Sequence, residues 1–181
     1  GNNQVTPTHC ACINPNPKYL KALIDADPNI QLTDEKNRKP IHYAAACEGP
    51  GPLELLIAQG GNVNDLDSEK RSTLHYAAIN GRAENVKIIA QLAPILLKGK
   101  DKANMMPLHY ACKYGHLEAV KAFIEVGANV NIGSGSARLG PLGFAAAHNH
   151  YELCEYLINN KGRVMHKDKF KRTPLIMAVR N

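Results

Sequence analysis

With 181 residues, 44% hydrophobic content and a formal net charge of +6, the chain has the composition of an ordinary soluble protein and could form one compact domain or a short array of stacked units. Aromatic residues make up only 6% and tryptophan is absent, so a core must be built by helix packing of Leu, Ile, Val and Ala. The longest apolar run, Val86 to Leu97, is interrupted by Lys87, Gln91 and Pro94 and is too short to cross a bilayer, while Gly1-Asn2-Asn3-Gln4 has neither the basic start nor the apolar core of a secretory leader.

Along the chain one short phrase keeps returning: Thr6-Pro7-Thr8-His9, Lys39-Pro40-Ile41-His42, Ser72-Thr73-Leu74-His75, Met106-Pro107-Leu108-His109, Gly140-Pro141-Leu142-Gly143 and Thr173-Pro174-Leu175-Ile176. The steps are 33, 33, 34, 34 and 33 residues, which is a repeat array. Each phrase predicts the start of a short helix, because Pro in the first turn gives up a donor the helix could not use and a preceding hydroxyl can cap open N–H groups. Small residues follow at Ala44-Ala45-Ala46, Ala77-Ala78, Ala111-Cys112 and Ala145-Ala146-Ala147, so neighbouring helices can approach closely. Gly49-Pro50-Gly51, Gly81, Gly115 and Asn149-His150 then break the helix and let the chain reverse.

A second helix follows in each unit, with apolar residues at helical spacing, as in Tyr19, Leu20, Leu23 and Ile24 or Leu117, Val120, Phe123 and Ile124. Gly60-Gly61, Gly127 and Gly162 end three of these helices, and turns led by Asp34, Asp67, Asp101 and Asp168 follow as projecting fingers. Three departures stand out. Ile13-Asn14-Pro15-Asn16-Pro17 replaces the first turn and should stiffen it. In the third unit Pro94 should end the second helix and leave an irregular connection. The finger at 133–140 has three glycines and no Asp, which predicts the most mobile tip. The sixth unit stops at Asn181 after one helix, as expected of a fragment of a longer protein.

A period of about 33 with a Thr-Pro-Leu-His-x-Ala core resembles the ankyrin-repeat family, over nearly the whole chain. The resemblance implies an all-α solenoid of helix-turn-helix repeats with β-turn fingers. It would form a single domain over 1–181, with repeats near 1–33, 34–66, 67–100, 101–134 and 135–167 and a truncated sixth at 168–181. It also implies a non-catalytic protein-binding module, expected to be monomeric and to need no cofactor. The alternative is a regulatory or substrate-recruiting domain of a larger enzyme or membrane protein whose activity lies elsewhere.

The residues themselves offer no active site. His9, His42, His75 and His109 share one repeat position, and stacked helices lie about 8–10 Å apart, too far for equivalent imidazoles to close on one metal. A structural role, bonding finger backbone to the next repeat, is the expectation. Tyr43, Tyr76, Tyr110 and Phe144 share the next position and read as packing. The five cysteines are an odd number without zinc spacing and read as buried thiols of a cytoplasmic or nuclear protein. The segment 133–140 lacks the Lys-Ser/Thr of a phosphate loop.

Charge is the feature that structure does not demand. Residues 1–90 carry 9 Lys/Arg against 10 Asp/Glu, while 91–181 carry 13 against 6. Ligands of the resembled family usually contact finger tips and the inward surface of the first helices. Carried over by repeat position, this selects Lys36 and Arg38, Arg71, then Lys102, Met105, Lys113 and Tyr114, Leu139 and His148, and Lys169, Phe170 and Arg172. Met105, Tyr114, Leu139 and Phe170 are the expected exposed anchors, and the cations are expected to steer an acidic partner segment into the groove. Nucleic acid is disfavoured, since no recognised motif for it is present.

Overall fold

The structure, a computed structural model, describes residues 4–27 and 29–179; the expectations placed on Gly1 to Asn3 and on Asn181 lie outside the described residues. The described helices are α1 (Pro7–Ala11), α2 (Lys18–Ala26), α3 (Pro40–Ala46), α4 (Gly51–Ala58), α5 (Thr73–Ile79), α6 (Ala83–Leu92), α7 (Pro107–Lys113), α8 (Leu117–Glu125), α9 (Pro141–Ala147), α10 (Tyr151–Asn159) and α11 (Pro174–Val179). No β-strand occurs among the described residues; two isolated antiparallel bridges, Leu66 with Ser72 and Ser134 with Leu139, mark finger bases.

Odd-numbered helices stack on one another from α3 to α11, and α6 stacks on α8 in the outer layer. The inner layer is thin because its facing residues are small: Ala44, Ala45, Ala77, Ala78, Ala111, Cys112 and Ala145 are all fully buried. The outer layer supplies the volume, through Leu20, Leu53, Leu56, Ile89, Phe123, Leu153 and Leu157. Each such side chain taken from water contributes about 1.5–3 kcal/mol, so the helix pairs are held by a continuous core rather than by their short length. Val120 and Phe123 fill the predicted face of α8, whereas Tyr19, expected on the apolar face of α2, is 65% exposed. After α6 the chain extends at Ala93 and makes a 3₁₀ turn over Pro94–Lys98 that tucks Leu96 inside, the irregular connection foreseen at Pro94.

The shared histidine does two jobs. Its Nδ1 accepts the N–H of the residue that precedes the helix, from Thr6 to His9 (3.2 Å), Lys39 to His42 (3.0 Å) and Ser72 to His75 (3.1 Å). That leaves the proton on Nε2, which donates to a carbonyl farther along: Arg38 for His9, Asp65 for His42, Met105 for His75 and Ile132 for His109. His9 and His75 thus reach the next finger as expected, whereas His42 and His109 bond carbonyls just before it, at Asp65 and Ile132. The expected hydroxyl cap is confined to the ends: Thr6 accepts the His9 N–H and Thr173 that of Ile176, and the other starts rely on the imidazole or on backbone. At the fourth repeat Met106 N–H turns instead to Ser134 Oγ, so His109 Nδ1 is buried without a partner.

A second set of staples runs the opposite way. Arg82 Nε donates to Ala46 O, His116 Nε2 to Ile79 O and His150 Nε2 to Lys113 O, each reaching back to the end of the preceding inner helix. These turns need glycine: a Cβ on Gly81 or Gly115 would sit 2.7 or 2.5 Å from the ring of His116 or His150, and both glycines have positive φ. Asn85, fully buried, adds bonds from Nδ2 to the carbonyls of Ala44, Ala45 and Cys47, where α3 ends without a regular turn.

Candidate partner-binding face

The fingers at 34–38, 67–71, 101–105 and 168–172 share one construction. A buried Asp closes each turn by accepting, through Oδ1, N–H groups two or four residues on: Lys36 and Arg38 to Asp34, Glu69 and Arg71 to Asp67, Met105 to Asp101, Phe170 and Arg172 to Asp168. In the second, third and fourth repeats Oδ2 accepts the hydroxyl nine residues on, from Tyr43 (2.8 Å), Tyr76 (2.6 Å) and Tyr110 (2.6 Å). Burial and the neighbouring carboxylate push the Tyr43 and Tyr110 hydroxyls up to about 12. Burial works against the charge of Asp34 and Asp168, yet the N–H groups and guanidinium they hold keep both carboxyls below the usual range. The fifth finger, 134–139, replaces this pair at both ends, with Ser134 where the others have Asp and Phe144 where the second, third and fourth repeats have Tyr. Successive fingers are tied tip to tip by backbone bonds, from Ser68 N to Lys36 O, Lys102 N to Glu69 O, Gly135 N to Asn104 O and Lys169 N to Ala137 O.

This frame sorts the twelve residues selected from the sequence. Met105 and Leu139, expected as exposed anchors, are each only 7% exposed and belong to the core. They occupy the position held elsewhere by Arg38, Arg71 and Arg172; Arg38 and Arg172 reach back along their own fingers and Arg71 toward the next, whereas an apolar side chain folds inward. The arginines are engaged too. Arg38 Nε lies 2.6 Å from Asp34 Oδ2, an Arg172 amino nitrogen 2.7 Å from Asp168 Oδ2, and Arg71 Nε 3.7 Å from Asp101 Oδ2. Exposed Lys102 lies 3.7 Å from exposed Glu69, a surface contact worth little. These cations hold or neutralise the scaffold.

What stays available is narrower. Tyr114 (46% exposed) stands at the end of α7, with Lys113 Nζ 5.6 Å from its ring centroid and the Tyr110 ring stacked beneath it. Phe170 (59% exposed) projects from the sixth finger between Lys169 Nζ, at 4.9 Å, and the Arg172 guanidinium, at 4.8 Å. His148 is exposed at the end of α9, stacked on His150, and bonds Phe144 O through Nδ1. Lys36 is exposed at the second finger tip. Among the described residues, no three His, Cys, Asp or Glu side chains gather in a metal-ligating group.

A family model described as ankyrin repeats in three copies matches residues 45–134. The crystal structure of the human ASB11 ankyrin repeat domain superposes with a TM-score of 0.84 at 22% identity, over 98% of this chain and 78% of that one. The chain is an ankyrin-repeat protein. No curated protein matches it by sequence. At 22% identity the likeness carries the solenoid fold, and no helix of the described residues is long and apolar enough to cross a membrane.

Ankyrin repeats are generally protein-interaction modules, and this one presents its unclaimed rings and cations on finger tips and inner-helix ends. Three features of the array were not read from the sequence. The Asp–Tyr bonds join a turn to a helix nine residues on, and each partner alone looked like ordinary turn or packing chemistry. The backward staples of His116 and His150 join a turn to a carbonyl 37 residues earlier, and nothing local to either histidine signals that partner. Finally, the fifth-finger glycines serve close packing: a Cβ on Gly135 would lie 2.9 Å from Met105 Sδ, and Ser134 is tied to Asn104 O. Among the thiols, Cys12, Cys47 and Cys112 are buried as expected, with Cys12 pushed up to about 12 by burial, but Cys10 is exposed.

Proposed function

We propose that this ankyrin array, its six repeats acting as one domain, is a non-catalytic module that binds an acidic partner segment carrying hydrophobic side chains. The binding surface runs along the inner-helix ends and finger tips of the C-terminal half. The observation that supports this is the pair of ring–lysine units, Lys113 over Tyr114 and Lys169 over Phe170. Each offers apolar area and a positive charge within one side chain's reach, on a scaffold whose stapled turns need little ordering on binding. The excess of cations over acids in residues 91–181 would speed encounter with an acidic segment. Five free thiols, three of them buried, suit a reducing compartment such as the cytoplasm or nucleus.

A random peptide-display selection tests this. Wild type should enrich acidic peptides with a spaced hydrophobic residue, and Lys113→Glu/Lys169→Glu should weaken them at least tenfold. Arg172 and Lys102 stay unchanged, since the first holds Asp168 and the second faces Glu69. Peptides that bind the double variant as well as wild type would remove these units from the binding face.

A further inference from the structure

One cleft gathers cations with no acid free to neutralise them. It lies between the fifth and sixth fingers, has a volume of about 540 Å³, and is lined by Gly133, Arg138, His166, Lys167, Asp168 and Lys169. The lining acid, Asp168, is 5% exposed and spent on the N–H groups of Phe170 and Arg172 and on the Arg172 guanidinium. No other Asp or Glu occurs in 133–140 or 161–173.

Finger construction explains why Arg138 is unclaimed. Arg38 and Arg172 follow the left-handed residue of their fingers and pair with an Asp four residues earlier. The fifth finger is one residue longer: its closing bond runs from Ser134 N to Leu139 O, against Asp34 N to Arg38 O in the second. Leu139 therefore takes the inward position and Arg138 the left-handed one, with φ +54°. Ser134 supplies no carboxylate, and Arg138, Lys167 and Lys169 make no ion pair among the described residues. The fourth finger shows the contrast, since Arg71 and Lys102 face Asp101 and Glu69. The cleft floor is kept open by glycine, because a Cβ on Gly133 would collide with Arg138 O. Through His166 it continues into a second cleft lined by Lys161, Arg163, Val164 and Met165, where Met165 is 70% exposed.

We propose that this cleft receives a phosphorylated serine or threonine of the partner segment, with an adjacent apolar residue against Met165 or Phe170. The proposal rests on the module reading above and names the chemistry of its ligand. Three uncompensated cations exceed the charge of one carboxylate but suit a phosphomonoester of about −1.5 to −2, and a guanidinium can grip two of its oxygens at once. A peptide is favoured over nucleic acid because the gap between the third and fourth fingers is neutralised by Asp101 and Glu69, so the basic cleft does not extend into a continuous cationic track along the finger tips.

The test is an array of matched peptides carrying phosphoserine, Glu or Ser at one position, read against wild type, Arg138→Ala/Lys167→Ala and Arg138→Lys. Both side chains are exposed and outside the core, so the double variant should unfold at the wild-type midpoint. Phosphopeptides should bind wild type at least tenfold more tightly than their Glu counterparts. The double variant should lose that preference, and Arg138→Lys, with charge but no fork, should fall between. Equal binding of phosphorylated and Glu peptides would overturn the phosphate cleft while leaving the module reading intact, as would a phosphate preference that survives in the double variant. Binding of a single-stranded oligonucleotide through Arg138 and Lys167, with no peptide bound, would overturn both.

Discussion

His75→Leu should destabilise the array by about 3 kcal/mol or more, although leucine fills much the same volume and is the more hydrophobic side chain. His75 is 1% exposed in the middle of the array. Its Nδ1 is shared by the Ser72 N–H (3.1 Å) and hydroxyl (3.0 Å), and its Nε2 donates to Met105 O (3.1 Å). Leucine would leave those groups buried and unpaired, and each orphaned polar group costs about 1–3 kcal/mol. The bond to Met105 also joins the third repeat to the fourth, so its loss should loosen the coupling that makes neighbouring repeats unfold together. Urea unfolding should show a lower midpoint and a broader or split transition. His9→Leu should cost less, because α1 packs less extensively on α3 than α5 does on α7 and so can open more easily. A change below 1 kcal/mol at His75 would mean that the imidazole only fills space.

Acid should unfold the array well before carboxylate protonation alone would. Burial holds His42 and His75 below the ordinary histidine value, against the pull of the carbonyls they bond, and lowers His109 to about 4. A depressed folded-state value means that the unfolded chain takes up the proton first. Stability is therefore full above about pH 6.5 and is lost as pH falls toward the folded-state values, by about 1.4 kcal/mol per pH unit for each proton the unfolded chain binds in excess. For His109 alone the window from 6.5 to about 4 corresponds to about 3 kcal/mol. Burial is the main cause, and the neighbouring Lys100 and His166 oppose a further positive charge there. Asp34 and Asp168, held below the usual carboxyl range, add their losses only at lower pH. Denaturation midpoints measured from pH 8 to pH 4 should be flat above 7 and fall steadily below 6.5; a flat profile down to pH 5 would contradict the neutral, buried assignment of these histidines.

Spacing made the fold legible, because a solenoid repeats its physics with its sequence. Each recurrent Pro, His and Ala cluster has one structural duty per unit, and the absence of other periodic features left few alternatives. The proposed binding face was legible mainly in its net charge. Repeat position selects Met105 and Leu139, yet that position stays out of the core only where it carries an arginine that can reach a finger Asp, its own or the next. Arg38 and Arg172 looked like free cations because the Asp four residues earlier explained itself as a turn residue. The fifth finger held the missed signal: Ser134 for Asp, Phe144 for Tyr and one extra residue before Pro141 all mark the place where the array's internal pairing is interrupted, before Asp168 and Arg172 resume it. Tyr114 and Phe170 stay exposed, the first at a helix end and the second at a finger tip, and so remain the proposed anchors.

The most direct measurement is hydroxyl-radical footprinting of the array with and without a peptide from the display selection. Protection should fall on Tyr114 and Phe170, while Tyr19, Leu92 and Ile158, exposed on the second helices α2, α6 and α10, should be oxidised equally in both samples. Protection of the second-helix residues, with Tyr114 and Phe170 unchanged, would contradict recognition through the inner-helix ends and finger tips.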